Sequence, residues 1–124
     1  TGLCCFLAGW LSPAVLERGA MAGAMLESYV VSEIIKSYVN NGKSMRMYYY
    51  ADKEQREIDL LIEENGVLYP VEIKKSGSLA NMNFKNFDYL SSLNVEIGHG
   101  CVLCFTDGVI PITKNIDAVP IGYI

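Results

Sequence analysis

Two acidic residues and a lysine, set around an Asn-Gly pair, are the residues of this chain best placed to do chemistry. The stretch from Arg56 to Lys75 contains Glu57-Ile58-Asp59-Leu60-Leu61, then Asn65-Gly66, then Pro70-Val71-Glu72-Ile73-Lys74. Apolar runs flank Asn65-Gly66, the strongest short-range signal for a two-residue β-hairpin. Such a turn pairs Glu64 with Val67, and stepping back along both strands brings Asp59 opposite Glu72 on one face. Lys74 shares that face because strand side chains alternate. Directly opposed carboxylates with Cβ atoms roughly 5 Å apart repel by about 3 kcal/mol at an effective dielectric near 20. That is a large share of a domain stability of roughly 5–15 kcal/mol. A bound cation, a shared proton or a basic neighbour must offset it. Asp59, Glu72 and Lys74 thus form one cluster of two hard oxygen ligands and an ammonium.

The elements that must position these groups are legible in the pattern. Ser12-Pro13 reads as the N-cap and first residue of a short helix ended by Gly19. A longer helix follows over about 21–40, with Gly42 as a stop signal. Residues 45–51, with Tyr48-Tyr49-Tyr50, read as a strand. Two hairpin strands cover about 56–64 and 67–75. Phe84, Phe87 and Leu90 give a helix over about 81–93. His99 to Phe105 reads as a buried strand. Asp107-Gly108 turns into a tail carrying Pro111 and Pro120, expected at a sheet edge. The order is α-β-β-β-α-β, an α/β class with a central mixed sheet flanked by helices.

The long helix adds a third acid. At about 100° per residue, Glu27 falls on one stripe with Ala20, Gly23, Ala24, Val31, Ile34 and Tyr38. That stripe should face the sheet, where a carboxylate needs a partner or a metal. Glu33 falls on the wet face.

Composition narrows the classes. A chain of 124 residues is one domain by length. Its formal net charge of −4 argues against a strongly basic nucleic-acid surface. The apolar run Leu3 to Leu11 is too short to span a membrane, which takes about 20 residues. It reads as the end of a preceding segment, residues 1–19, packed on a domain of residues 20–124. Cys4, Cys5, Cys101 and Cys104 all lie in apolar stretches and read as buried free thiols, which fits a cytoplasmic setting. Gly42-Lys43-Ser44 ends a helix and lacks the earlier glycine of a phosphate loop. His99, the lone histidine, and the three consecutive tyrosines read as structural.

Gly23-Ala24-Met25-Leu26-Glu27, Asp59 and Glu72-Ile73-Lys74 together resemble the PD-(D/E)XK, restriction-endonuclease-like nuclease superfamily, over nearly the whole chain. More narrowly, Tyr29-Val30-Val31-Ser32-Glu33, Glu57-Ile58-Asp59-Leu60-Leu61 and Pro70-Val71-Glu72-Ile73-Lys74-Lys75 resemble a C-terminal domain of unknown function. That domain follows AAA-type P-loop ATPase domains in bacterial and archaeal proteins. The proline that precedes the superfamily's metal-binding aspartate is replaced here by Ile58. The resemblance implies that Asp59, Glu72 and the Ile73 backbone carbonyl would bind Mg²⁺ or Mn²⁺, with Glu27 binding directly or through water. Lys74 would orient or deprotonate the attacking water and stabilise charge on the phosphate. Glu27, Asp59, Glu72 and Lys74 are thus the candidate catalytic set. The implied partners are nucleic acid, with DNA favoured, and an ATPase domain of the same full-length protein. The alternative is an inactive nuclease-fold scaffold or protein-binding module beside that ATPase.

Overall fold

The computed structural model describes residues 1–76 and 85–124. Three helices come first: α1 (Gly2–Leu7), α2 (Pro13–Arg18) and α3 (Ala22–Asn40). Ser12 takes an extended N-cap conformation, Pro13 opens α2 and Gly19 ends it, as the sequence signals require. Gly42 has φ +66° just beyond α3, a left-handed stop that glycine adopts at low cost. The strands are β1 (Met47–Ala51), β2 (Glu57–Glu64), β3 (Val67–Ile73), β4 (Glu96–Ile97), β5 (Gly100–Cys104), β6 (Ile110–Thr113) and β7 (Ile116–Pro120). Helix α4 (Lys85–Leu90) lies between β3 and β4, and a 3₁₀ turn (Ile121–Tyr123) ends the described chain.

These strands form one mixed sheet in the order β1-β2-β3-β5-β7-β6, with β4 pairing on β3. β1, β2 and β3 are an antiparallel meander, β5 joins β3 in parallel, and β7 joins β5 in parallel. Parallel neighbours need a crossover, which the segment containing α4 supplies. The class is therefore mixed α/β, and α3-β1-β2-β3-α4-β5 follows the expected order with β4 inserted.

Hydrophobic burial fixes which layer each helix covers. Val30 and Ile34 of α3 pack on Leu60, Val71, Ile73 and Leu103. Phe87 and Leu90 of α4 pack on Ile58, Leu61, Val102 and Cys104. The spacing of Phe87 and Leu90 thus places them as expected, whereas Phe84 lies outside the described residues. The helix stops at Leu90, short of 93, because Ser91 and Ser92 donate their N–H groups to the Asp88 and Tyr89 carbonyls in a tight turn.

The hairpin turn holds the site's register. Asn65 and Gly66 have φ +55° and +83°, the left-handed pair a type I′ turn needs. Glu64 pairs with Val67 and Leu60 with Val71, so the register read from the sequence is found from the turn as far as Leu60 and Val71, and Asp59 and Glu72 lie just beyond the last pair. Replacing Gly66 with alanine forces a Cβ into that conformation. It should lower stability by about 1–2 kcal/mol, seen as a lower urea midpoint with an unchanged slope.

Two expectations are corrected. The tail is not a single edge strand: β6 and β7 form an antiparallel pair, with β7 between β5 and β6. Ile116 and Ala118 are buried, which draws β7 inward, and Pro120 can join an interior strand because it is the last residue. Pro111 does lie on the outermost strand. Among the cysteines, all free, Cys104 is buried, Cys5 and Cys101 are half-buried and Cys4 is exposed; α1, which carries Cys4 and Cys5, buries none of its residues. Leu3, Phe6, Leu7 and Leu11 are likewise exposed. Among the described residues, no helix is long and apolar enough to cross a membrane.

Candidate active site

A bulge in β2 creates the site. Tyr48 pairs with Leu61 and Tyr50 with Ile58, so Asp59 and Leu60 together oppose Tyr49. The extra residue resets the alternation: Ile58 joins Leu61 on the α4 layer, while Leu60 joins Ile62 on the α3 layer. On the other side of β2, pairing with β3 stops at Leu60 and Val71, although the strands continue to Glu57 and Ile73.

The two carboxylates occupy the gap where the ladder ends. The Asp59 N–H donates to Glu72 Oε2 at 3.3 Å, and the Ile73 N–H donates to Asp59 Oδ2 at 2.7 Å. Each acid thus satisfies a backbone donor on the opposite strand that lost its carbonyl partner. The Lys74 N–H points the other way, to the Leu103 carbonyl on β5 at 2.9 Å. Since carbonyl and N–H of a trans peptide point in opposite directions, the Ile73 carbonyl is directed towards β2 and the gap.

The electrostatics of this gap are strained and partly compensated. Glu72 is 7 % exposed, the one charged residue in the core of the described chain. Burial first, and then the Asp59 charge, push its carboxyl up from 4.5 to about 7. Lys74 opposes that shift, with Nζ 3.3 Å from Glu72 Oε1. Two of the three possible offsets, a basic neighbour and a retained proton, therefore act in the metal-free protein. Glu27 lies on the apolar stripe of α3 as expected and is also raised, by burial first and then by Asp59. Lys74 lowers it and Glu57 raises it further, which places these groups in one field. Among the described residues, no three Asp, Glu, His or Cys side chains converge closely enough to hold one metal ion. Asp59 and Glu72 converge, and Glu27 on the helix feels the charges of Asp59 and Lys74. Two carboxylates and a carbonyl directed at the gap are the donor types that Mg²⁺ or Mn²⁺ commonly take from a protein.

The sequence matches the family model described as Domain of unknown function (DUF4143) over residues 22–124. The chain belongs to this family. The match begins at the first residue of α3 and spans every element that carries the site. No curated protein matches the chain.

Two neighbours within the DUF4143 domain escape sequence reading. Tyr49 faces the bulge and is well exposed. Its hydroxyl is held above the usual range by desolvation first and by a bond to Glu57, with Asp59 and Glu27 adding their charge. Glu57 is the second missed residue, and α4 fixes its backbone: Asn86 Nδ2 donates to the Glu57 carbonyl at 3.0 Å. Next to it, the Arg56 guanidinium stacks 3.6 Å from the centre of the Tyr89 ring. Tyr49 is one of three consecutive tyrosines, and only the bulge selects it.

Other candidates separate from this centre. Lys43 and Ser44 line a cleft of about 500 Å³ between the C-terminal end of α3 and the hairpin turn, at the opposite end of β2 and β3. Glu33 pairs with Lys36 at 2.6 Å on the wet face, as expected. His99 Nε2 lies 3.0 Å from Asp117 Oδ2. Cys101 on β5, paired with Asp117 of β7, is pushed up to about 11 by burial and by Asp117, so it is a thiol and not a nucleophile at neutral pH.

Proposed function

We propose that this DUF4143 domain is a metal-dependent, nuclease-like domain of the PD-(D/E)XK kind, acting on nucleic-acid phosphodiesters in an ATPase-linked protein. The observation that carries the reading is the convergence of Asp59 and Glu72 where β2 and β3 stop pairing, with Lys74 3.3 Å from Glu72. Two acids could share a buried gap for structural reasons alone. An unpaired stretch of sheet that keeps Glu72 buried at a raised affinity for its proton is costly, and a cation site explains it.

Mg²⁺ or Mn²⁺ bound there would polarise a phosphate oxygen and acidify a water. Asp59 and Glu72 hold the position, and Glu72 must first release its proton. Lys74, drawn away from Glu72, supplies positive charge to the phosphate oxygens as charge builds in the transition state. Glu27 orients water from the helix side.

Cleavage of single-stranded, duplex and branched DNA with Mg²⁺ and Mn²⁺ tests this. Lys74→Ala should reduce a metal-dependent cleavage roughly 10²–10³-fold, the size of losing one preorganised charge donor. It should leave the cation-induced rise in melting temperature in place. The second reading, a nuclease-fold scaffold or protein-binding module beside an ATPase, draws on the net charge of −4. It expects no cleavage of any of these substrates with either metal.

A further inference from the structure

The sheet ends in two unlike edges. At one end β6 carries Pro111 and pairs irregularly with β7, features that blunt an edge. At the other end β1 reads Met47-Tyr48-Tyr49-Tyr50-Ala51, without charge, proline or glycine, and among the described residues only β2 pairs with it. Backbone bonds fix which groups lie on its open side. The Glu63 N–H donates to the Arg46 carbonyl at 2.9 Å, and the Asp52 N–H to the Arg56 carbonyl at 3.1 Å. Arg46 and Asp52 thus turn their peptide groups to β2, and Tyr48 and Tyr50 do so by alternation. Met47, Tyr49 and Ala51 direct theirs outward. The bulge leaves this alternation intact, because its extra residue is in β2. Tyr48 and Tyr49 are also 49 % and 62 % exposed.

We propose that the open side of β1 takes a second copy of the chain, joined antiparallel about a two-fold axis at Tyr49. That register sets Tyr49 on Tyr49 and Met47 on Ala51. Every outward N–H and carbonyl of both strands then finds a partner, whereas a shift of two residues either way leaves some unpaired. The same register sets Arg46 of one copy opposite Asp52 of the other, so the charges that flank the strand attract at both ends. The Arg46 side chain is largely exposed and available for this. Tyr48 falls opposite Tyr50 in the closer, non-hydrogen-bonded pairs, where aromatic rings gain from contact. An identical strand supplies all of these matches by symmetry. Pairing consumes both open edges, so assembly stops at the dimer. An edge of five residues is small beside the roughly 20–30 residues a side of a standard interface, so association is weak. Tyr49 faces the bulge, and the axis puts the two candidate sites on the same face of one continuous sheet. The pairing holds whether or not those sites bind metal.

Sedimentation equilibrium of the chain in EDTA tests this, paired with amide hydrogen exchange in dilute and concentrated solution. A reversible monomer–dimer equilibrium should appear, with Kd on the order of 10–100 μM, as small interfaces give. The Met47, Tyr49 and Ala51 amides should exchange several-fold more slowly in the concentrated sample, while those of Tyr48 and Tyr50, already turned to β2, change little. Tyr49→Lys puts like charges face to face at the axis and should weaken the dimer roughly tenfold, with circular dichroism unchanged. Ala51→Pro removes an outward donor and none from the β2 ladder, and should act in the same direction. A monomer up to about 500 μM, well above the Kd expected of a small interface, overturns the proposal and leaves the edge to a strand of another protein. A dimer that survives both variants overturns it, as does one whose Met47, Tyr49 and Ala51 amides exchange as fast as in dilute solution. Either result places the contact elsewhere, as on the exposed apolar residues of α1. Growth beyond a dimer also overturns it, since a closed pair leaves no β1 edge free. A melt indifferent to Mn²⁺ removes the metal site alone.

Discussion

Asp59→Asn is expected to abolish the response to divalent cations while making the metal-free protein more stable. In the wild type, saturation at a hundredfold excess over Kd adds about 2.7 kcal/mol by mass action, on the order of 10 °C in melting temperature for a domain this size. Asparagine keeps an oxygen to accept the Ile73 N–H, so the bond that closes the gap survives. The negative charge is lost, and with it the repulsion on Glu72. A gain of about 1–2 kcal/mol without metal should follow at pH 8, where Glu72 is ionised in the wild type. Any metal-dependent cleavage should drop roughly 10²–10³-fold, because several kcal/mol of charge stabilisation disappears with the ligand. Paired melts of both proteins, with and without Mn²⁺, measure all but the rate. A wild-type melt insensitive to Mn²⁺ would remove the basis for the site.

The second large effect is on pH. The folded carboxyl of Glu72 titrates at about 7, above its ordinary 4.5. The folded state therefore binds this proton more tightly than the unfolded chain. The resulting stability is fully present below about pH 4.5 and lost as pH rises through about 7. A shift of this size corresponds to about 3 kcal/mol. Metal-free protein should become less stable between these limits, and Glu72→Gln should flatten that part of the profile. Saturating Mg²⁺ should restore stability at neutral pH, because the cation replaces the proton. Calorimetric titrations near pH 6.5 in buffers of different ionisation enthalpy should then show proton release on cation binding. No fall in stability between pH 4.5 and 7.5 would contradict the burial of Glu72.

Much of this centre was legible because local rules fix it. Asn65-Gly66 admits a type I′ turn, that turn sets one register as far as Leu60 and Val71, and just beyond it the Asp59 and Glu72 carboxylates meet through bonds to backbone N–H groups. Helical periodicity put Glu27 on the sheet-facing stripe and Glu33 in solvent. The bulge at Asp59 and Leu60 was not legible, since no glycine or proline marks it and it depends on how β1 settles against β2. Tyr49 and Glu57 stayed hidden for the same reason: they join the site through that pairing alone. The order of β6 and β7 depends on long-range burial of Ile116 and Ala118, which a tail with two prolines does not reveal. The proposed metal site, in turn, rests on the gap between strands and not on any one residue.

The most direct measurement is an anomalous difference map from a crystal soaked in Mn²⁺ above pH 7.5. A peak should appear between the Asp59 and Glu72 carboxylates, on the side facing the Ile73 carbonyl, with the Lys74 ammonium moved off Glu72. Density free of any such peak, with the Lys74–Glu72 pair intact under saturating Mn²⁺, would show that the two acids serve the fold alone.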